Sequence, residues 1–269
     1  MERALLLGLP CLALLVGAAA VQVEIIAHRG ASAEAPENTL AAFRLGWQQA
    51  EACELDITLT KDGRIAVIHD ATTKRTAGLD KPVAQQTLEE LKSLDAGSWK
   101  GKKWAGEKIP SLGEVLEILP PGKRLVIEIK CGPEVLPELQ RVLEASGKKP
   151  EQVVIIGFGY DAMVQARRRF PKIPVYWLSS FKADKKTGKT PDIDDLIAGA
   201  RSGGLDGLNL HHEFPIDAAF VARIHAAGLK LYTWTVDDEE IARKEAAAGV
   251  DGITTNRPLW LRQKLSFPK

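Results

Sequence analysis

The sequence predicts an α/β protein, a TIM (β/α)8 barrel with a small insertion after the second barrel strand. Three observations predict it. Eight β-rich runs alternate with helical stretches over about 240 residues, which suits eight β/α units closed into a barrel. Polar residues capable of chemistry fall late in those runs, where such a barrel carries its active site. No Gly-x-Gly-x-x-Gly follows the first run, which counts against an open dinucleotide-binding sheet.

The elements follow in order. Val23 to Ala27 reads as the first strand, and Asn38 to Ala50 as a helix with Asn38 as its candidate N-cap. Cys53 to Leu59 is the second barrel strand. The Lys61-Asp62-Gly63 turn then leads into Ile65 to Ile68, too soon for a parallel crossover, so this run returns antiparallel or lies outside the main sheet. Residues 71–110 lack long apolar periodicity, carry five glycine or proline breakers between Gly78 and Gly106, and show a helical signal only at Thr87 to Leu94. They read as an excursion over one end of the scaffold. Ser111 to Leu119 is a helix stopped by Pro120-Pro121-Gly122.

Regular alternation then resumes. Strands are expected at Leu125 to Ile129, Val153 to Ile156, Val175 to Leu178, Gly207 to Leu210, Lys230 to Val236 and Asp251 to Thr254. Helices are expected at Pro133 to Ala145, Tyr160 to Arg169, Ile193 to Ala200, Ile216 to Ala227 and Asp237 to Ala248, the last two stopped by Gly228 and Gly249. Lys182 to Pro191 is a polar loop.

Composition narrows the partners. With 36 Lys and Arg against 35 Asp and Glu, the chain has no general attraction for nucleic acid or anionic membranes, so no nucleic-acid partner and a small-molecule substrate are expected. The first twenty residues differ: a short start, a Leu-rich centre, and Ala18 and Ala20 placed as an A-x-A cleavage site. They read as a signal peptide ahead of one domain over residues 21–269, implying a secreted or periplasmic protein with no stable membrane partner once the leader is cleaved. An uncleaved anchor over residues 4–21, or a buried first helix, stays open. Cys53 and Cys131 then remain, each read as a small buried hydrophobe rather than a nucleophile or a disulfide partner.

Chemistry gathers at the strand ends. Glu54 and Asp56, two apart in a strand, project from one face; Glu128 and Lys130 repeat the spacing on the next barrel strand. Carboxylates side by side repel unless a hard cation compensates them, and burying either pair uncompensated costs roughly several kcal/mol per group. A salt-bridge layer without metal is the competing reading. His28 and His69 each end an apolar run and can move protons near neutral pH. Their neighbours Arg29 and Asp70 could bind a phosphate or orient an imidazole. His211 and His212 match no metal spacing, and His225 lies on a helix. Gly30 suits a tight turn beside His28. Trp234 shares its strand phase with Tyr232 and either walls the pocket or packs beneath the helices.

With these residues in place, the chain resembles the glycerophosphodiester phosphodiesterase family. The resemblance rests on His28-Arg29-Gly30, Pro36-Glu37-Asn38-Thr39, Glu54-Leu55-Asp56, Lys61-Asp62-Gly63, His69-Asp70, Glu128-Ile129-Lys130, Trp234-Thr235-Val236 and the closing Asp251 to Pro258, in the family order. It implies a TIM-barrel hydrolase that cuts glycerophosphodiesters into an alcohol and sn-glycerol 3-phosphate with one divalent cation, Ca2+ or Mg2+. Carried over, Glu54, Asp56 and Glu128 are metal ligands, His28 and His69 the acid–base pair, Arg29 and Lys130 phosphate binders, and Trp234 a pocket wall. Two positions depart from the family pattern: Asn256, often an aspartate, and Gly157-Phe158, often Ser-Phe. A lysophospholipase D and a non-catalytic binder of phosphorylated glycerol compounds are the alternative functions.

Overall fold

The computed structural model describes residues 23–185 and 187–266. The expected leader, the anchor alternative over residues 4–21 and the single-domain boundary at residue 21 lie wholly or partly outside the described residues. Among the described residues no helix is long and apolar enough to cross a membrane.

The apolar runs become nine strands: β1 (Glu24–Ala27), β2 (Ala52–Leu59), β3 (Ile65–Val67), β4 (Arg124–Ile129), β5 (Val153–Gly157), β6 (Val175–Ser179), β7 (Gly207–His211), β8 (Lys230–Trp234) and β9 (Gly252–Thr255). Eight pair in parallel in the order β1-β9-β8-β7-β6-β5-β4-β2, and β1 pairs with β2 to close the barrel. Inward and outward residues alternate along each strand. In β2, Cys53, Leu55 and Ile57 join the outer core under the helices, whereas Glu54 and Asp56 point inside. The short run after Gly63 does return antiparallel, Ile57 facing Val67. That places His69 beside the end of the Asp56 level, because Ile68 N donates to Asp56 O at 3.0 Å.

Helices α1 (Leu40–Gln49), α4 (Leu112–Ile118), α5 (Leu136–Ser146), α6 (Tyr160–Arg169), α7 (Ile193–Ser202), α8 (Ala218–Ala226), α9 (Glu239–Ala248) and α10 (Pro258–Ser266) surround the barrel, while α2 (Lys74–Ala77) and α3 (Leu88–Ser93) lie in the 71–110 insertion. Several helix starts differ from the sequence reading, two of them at residues that serve the site. Thr39, not Asn38, caps α1, its hydroxyl accepting from Ala42 N; Asn38 stands outside the helix at φ 57° and turns its amide to Asp56. Asp238 caps α9, so the helix starts two residues after the expected Asp237, which is left for the site. Helix α10 was not expected, its first residue being Pro258, a favoured opening residue whose missing N–H costs nothing there.

Inside, the barrel is filled in layers. At the bottom Arg124 donates to Glu24 Oε2 at 2.6 Å, and Tyr232 also donates to that carboxylate. The tyrosine rings at 176 and 232 meet edge to face at 4.9 Å. Gly207 and Gly252 make room for them, since a Cβ at either would lie 2.8 Å from a tyrosine ring atom. This plug closes one end and leaves the other open.

One buried group belongs to neither plug nor mouth. Glu245 on α9 is 1% exposed, accepts from Thr233 Oγ1 at 2.6 Å and has no partner for Oε1. Burial pushes its carboxyl up to about 7 from an ordinary 4.5. Its folded value lies above its unfolded one, so its favourable contribution is complete below about 4.5 and is lost as pH rises through about 7. Glu245→Gln is therefore expected to flatten the stability profile over that window and to raise the unfolding free energy at pH 8 by about 1–3 kcal/mol. Urea unfolding at pH 5 and pH 8 checks it, and equal stability of the two proteins at pH 8 contradicts it.

Candidate active site

At the open end the inward positions are polar on one side and apolar on the other. His28, Glu54 and Glu128 face Ile156, Phe158, Leu178 and Trp234 across a small cavity. A larger groove lies between α4 and α5, but its charged groups satisfy one another, Glu138 accepting from Arg64 at 3.0 Å and from Arg141 at 2.6 Å. Chemistry, not size, selects the mouth.

The turn after β1 builds the polar side. Arg29 and Gly30 take φ of 54° and 76°, reversing the chain sharply. Gly30 is required there twice over: its φ is left-handed, and a Cβ would lie 2.5 Å from the Ala42 carbonyl carbon. Arg29 N consequently donates to Glu54 Oε2 at 2.9 Å. Its guanidinium is already engaged, 2.8 Å from Glu37 and with Nε 3.3 Å from Asp56 Oδ2. Asn38, in the left-handed conformation asparagine tolerates, donates from Nδ2 to Asp56 Oδ2 at 2.8 Å.

Glu54, Asp56 and Glu128 bring ligand oxygens within 4.8 Å of one another, all buried. Lys130 Nζ lies 2.8 Å from Glu128 and 3.6 Å from Asp56, so it faces the mouth with them. Glu54 Oε1 and Asp56 Oδ1 have no hydrogen-bond partner. Desolvation, then repulsion from Asp56 and Glu128, pushes the Glu54 carboxyl well up; desolvation and Asp56 push Glu128 up to about 7, against the pull of Lys130. Two orphaned buried carboxylate oxygens in an all-oxygen set are what a hard divalent cation requires, and a closed salt-bridge layer would not leave them. The residues present fit such an ion.

Both histidines are anchored through Nδ1. Asn256 donates from Nδ2 to Asp237 Oδ2 at 2.6 Å, and this turns its Oδ1 to His28 Nδ1 at 2.7 Å. An amide oxygen only accepts, so Nδ1 carries the proton and Nε2 holds the lone pair, 4.0 Å from Glu54. Burial first, then Arg29, lowers the His28 value to about 4, which keeps the ring neutral at pH 7. His69 Nδ1 is 2.7 Å from Asp70 Oδ1, and Asp70 accepts from Arg75 Nε at 2.7 Å. Arg75 also donates to Glu37 at 2.7 Å. A continuous chain of ionic contacts through Asp70, Arg75, Glu37, Arg29 and Asp56 thus joins His69 to the carboxylate cluster.

Trp234 faces the cavity rather than the helices. Its Nε1 donates to Asn209 O at 3.1 Å, and its ring meets Phe158 at 5.6 Å and His211 at 4.8 Å, both edge to face. His212 stacks on His211 at 4.4 Å, and His225 binds Asp251 at 2.8 Å, away from the mouth. Cys53 and Cys131 are free thiols, both pushed up by burial and so far from thiolate reactivity. Of the residues expected from the sequence, His28, Glu54, Asp56, Glu128, Arg29, Lys130 and Trp234 stand together at the mouth, and His69 follows Ile68, whose N–H bonds to Asp56 O. Sequence reasoning missed Asn38, Glu37, Arg75 and Asp237 as supporting groups; the polar Pro36-Glu37-Asn38-Thr39 run and the paired Asp237-Asp238 were the available signals.

A model of the glycerophosphoryl diester phosphodiesterase family matches residues 28–259. A glycerophosphodiester phosphodiesterase of Caldanaerobacter subterraneus subsp. tengcongensis is 37% identical over 240 residues, covering 87% of this chain and 94% of its own. One of Bacillus subtilis is 33% identical over 253 residues, covering 87% and 83%. Among solved structures, an Oleispira antarctica phosphodiesterase in complex with the product sn-glycerol-3-phosphate aligns with a TM-score of 0.81 at 31% identity, over 91% of this chain and 97% of that one.

The support given by Asn38 is open to test. Asn38→Gly keeps the left-handed backbone and removes only the amide bond to Asp56. It is expected to weaken divalent-cation binding about 10-fold or more, as loss of a ligand-orienting hydrogen bond does. Titration calorimetry with Mg2+ and Ca2+ measures it; unchanged affinity for both ions shows that Asn38 does not orient Asp56.

Proposed function

The chain belongs to the glycerophosphoryl diester phosphodiesterase family and hydrolyses glycerophosphodiesters, and on that premise we propose which of its residues do so: Glu54, Asp56 and Glu128 hold a divalent cation, and His28 and His69 move the protons. The products are sn-glycerol 3-phosphate and an alcohol. One observation carries this reading. His28, anchored through Nδ1, sets Nε2 4.0 Å from a buried carboxylate cluster with two oxygens that lack hydrogen bonds, and His69, likewise anchored through Nδ1, is joined to that cluster through Asp70, Arg75, Glu37 and Arg29.

When bound, Ca2+ or Mg2+ supplies charge neutralisation for a non-bridging phosphate oxygen. His28 is the base: neutral, with its Nε2 lone pair fixed by the Asn256 contact, it takes the proton of the attacking hydroxyl. The attacker is water or the substrate's own glycerol 2-hydroxyl, which would close a cyclic phosphate first. His69, oriented by Asp70 through Nδ1, gives a proton from Nε2 to the departing alkoxide oxygen as the phosphorus–oxygen bond breaks. Lys130 reaches the same mouth and binds the phosphate, while Arg29 holds Asp56 and Glu37 in place behind it and adds positive charge. Trp234 and Phe158 provide a rigid apolar wall for the carbon skeleton. The expected leader of residues 1–20 would deliver the enzyme to an exported substrate pool.

Turnover of a panel of glycerophosphodiesters, glycerophosphocholine and lysophospholipid among them, should stop on chelation and return with Mg2+ or Ca2+. His28→Ala and His69→Ala should each lower kcat by about 100-fold or more. Activity within a few-fold of wild type in either variant removes that histidine from proton transfer, and loss on chelation that no divalent ion restores removes the proposed cation.

A further inference from the structure

Four large apolar side chains are notably exposed among the described residues: Leu79 at 41%, Trp99 at 42%, Phe158 at 45% and Leu259 at 41%. All four lie on segments that leave the mouth end of the barrel. Phe158 follows β5, Leu259 opens α10 after β9, and Leu79 and Trp99 belong to the insertion after β3. None lies at the plugged end.

The insertion adds charge to this face. Residues 71–110 hold eight Lys and Arg against five Asp and Glu, a net +3 in a chain whose total is +1. The positive charge is concentrated in Trp99-Lys100-Gly101-Lys102-Lys103-Trp104, which contains no acidic residue. Lys100 Nζ donates to Ser32 O at 2.6 Å, and so fastens the loop to the segment whose Ser32 Oγ reaches Asn256 at 2.8 Å. Lys103 Nζ lies 4.8 Å from the Trp104 ring centroid. Lys102 and Lys103 are exposed.

This loop is built, not slack. Asp95 accepts from Gly97 N, Ser98 N and Gly106 N at 2.8, 2.9 and 3.0 Å, and from Ser98 Oγ at 2.7 Å. Those four bonds hold its carboxyl well below the ordinary range. Gly97 packs so closely on Trp104 that a Cβ there would lie 1.9 Å from the Trp104 carbonyl oxygen. Trp99 Nε1 is already satisfied by Ala96 O at 2.9 Å, so what the loop shows to water is an apolar ring beside ammonium groups.

An apolar ring held outward among lysines, on the face that also carries the other exposed apolar groups, matches a surface with anionic headgroups above hydrocarbon. A soluble polyanion would use the lysines and leave the rings without a role. We propose that the mouth face, led by Trp99, Lys102 and Lys103, adsorbs reversibly to an anionic lipid surface, which turns the active-site opening toward the membrane. The contact is peripheral and requires no spanning helix. It is independent of the residue roles proposed above, because binding is read without turnover.

The test is flotation of the full chain with vesicles of phosphatidylcholine alone or with about 30% phosphatidylglycerol, for wild type, Trp99→Ala and the double variant K102E/K103E. Wild type should partition onto the anionic vesicles about 10-fold more strongly than onto neutral ones, and less so at high salt. Both variants should lose several-fold or more of that partition while hydrolysing glycerophosphocholine at wild-type rates, which shows them folded. Equal partition of wild type and both variants assigns adsorption to another segment and overturns the proposal. So does indifference to phosphatidylglycerol. Loss in K102E/K103E with no change in Trp99→Ala makes the loop a polyanion contact and overturns the lipid assignment.

Discussion

Three carboxylates buried within 4.8 Å of one another impose the condition that the rest of the mouth satisfies. In a desolvated site such a cluster repels itself, and each group left unpaired raises the energy of the fold. Lys130 and the Arg29 guanidinium offset part of this, the Asn38 amide and the Arg29 backbone N–H offset more, and Glu54 Oε1 and Asp56 Oδ1 are still left without a hydrogen bond, the latter with only Lys130 Nζ at 3.6 Å. That shortfall separates a cation site from a structural salt bridge, in which the geometry would close on itself.

The supporting groups show how far the condition reaches. Arg29 can hold Asp56 only because Glu37 occupies its other side, and Glu37 in turn holds Arg75, which fixes Asp70 against His69. Placement of one histidine and placement of one carboxylate are thus parts of one network, so His69 and the carboxylate cluster are spaced by common contacts. His28 is fixed from another direction, through Asn256 and Asp237 on the segments around β9. Asparagine at position 256 sets the tautomer as an aspartate would and adds no negative charge, consistent with a ring that stays neutral at pH 7.

A TIM barrel leaves its strand-end loops free to vary, and here the variation is concentrated in the insertion. Its small separate core, Ala66, Ile68, Val83, Leu91, Ala96 and Ile109, lets it fold as a firm unit beside the mouth. The loop is stapled around Asp95 with Trp99 facing out.

The sequence by itself determined the barrel and the side of it on which its strand-borne acidic residues stand. Alternation in Ala52 to Leu59 and Arg124 to Ile129 requires Glu54, Asp56 and Glu128 to point to the same side, because strand period is a local property of the backbone. Apolar spacing and Gly or Pro stops located the barrel helices for the same reason, with errors at the ends, where Asn38 reads as a cap and Asp237 as a helix start. Only the tertiary structure decided what those two residues do. Their partners, Asp56 and Asn256, lie 18 and 19 positions away, and no local pattern encodes a contact across that separation. The phase of Trp234 was local, but whether that face met solvent, helix or cavity depended on barrel closure. The same holds for His69: its place beside the carboxylates follows from β3 turning back antiparallel on β2, and the pairing of strands is settled by the whole sheet.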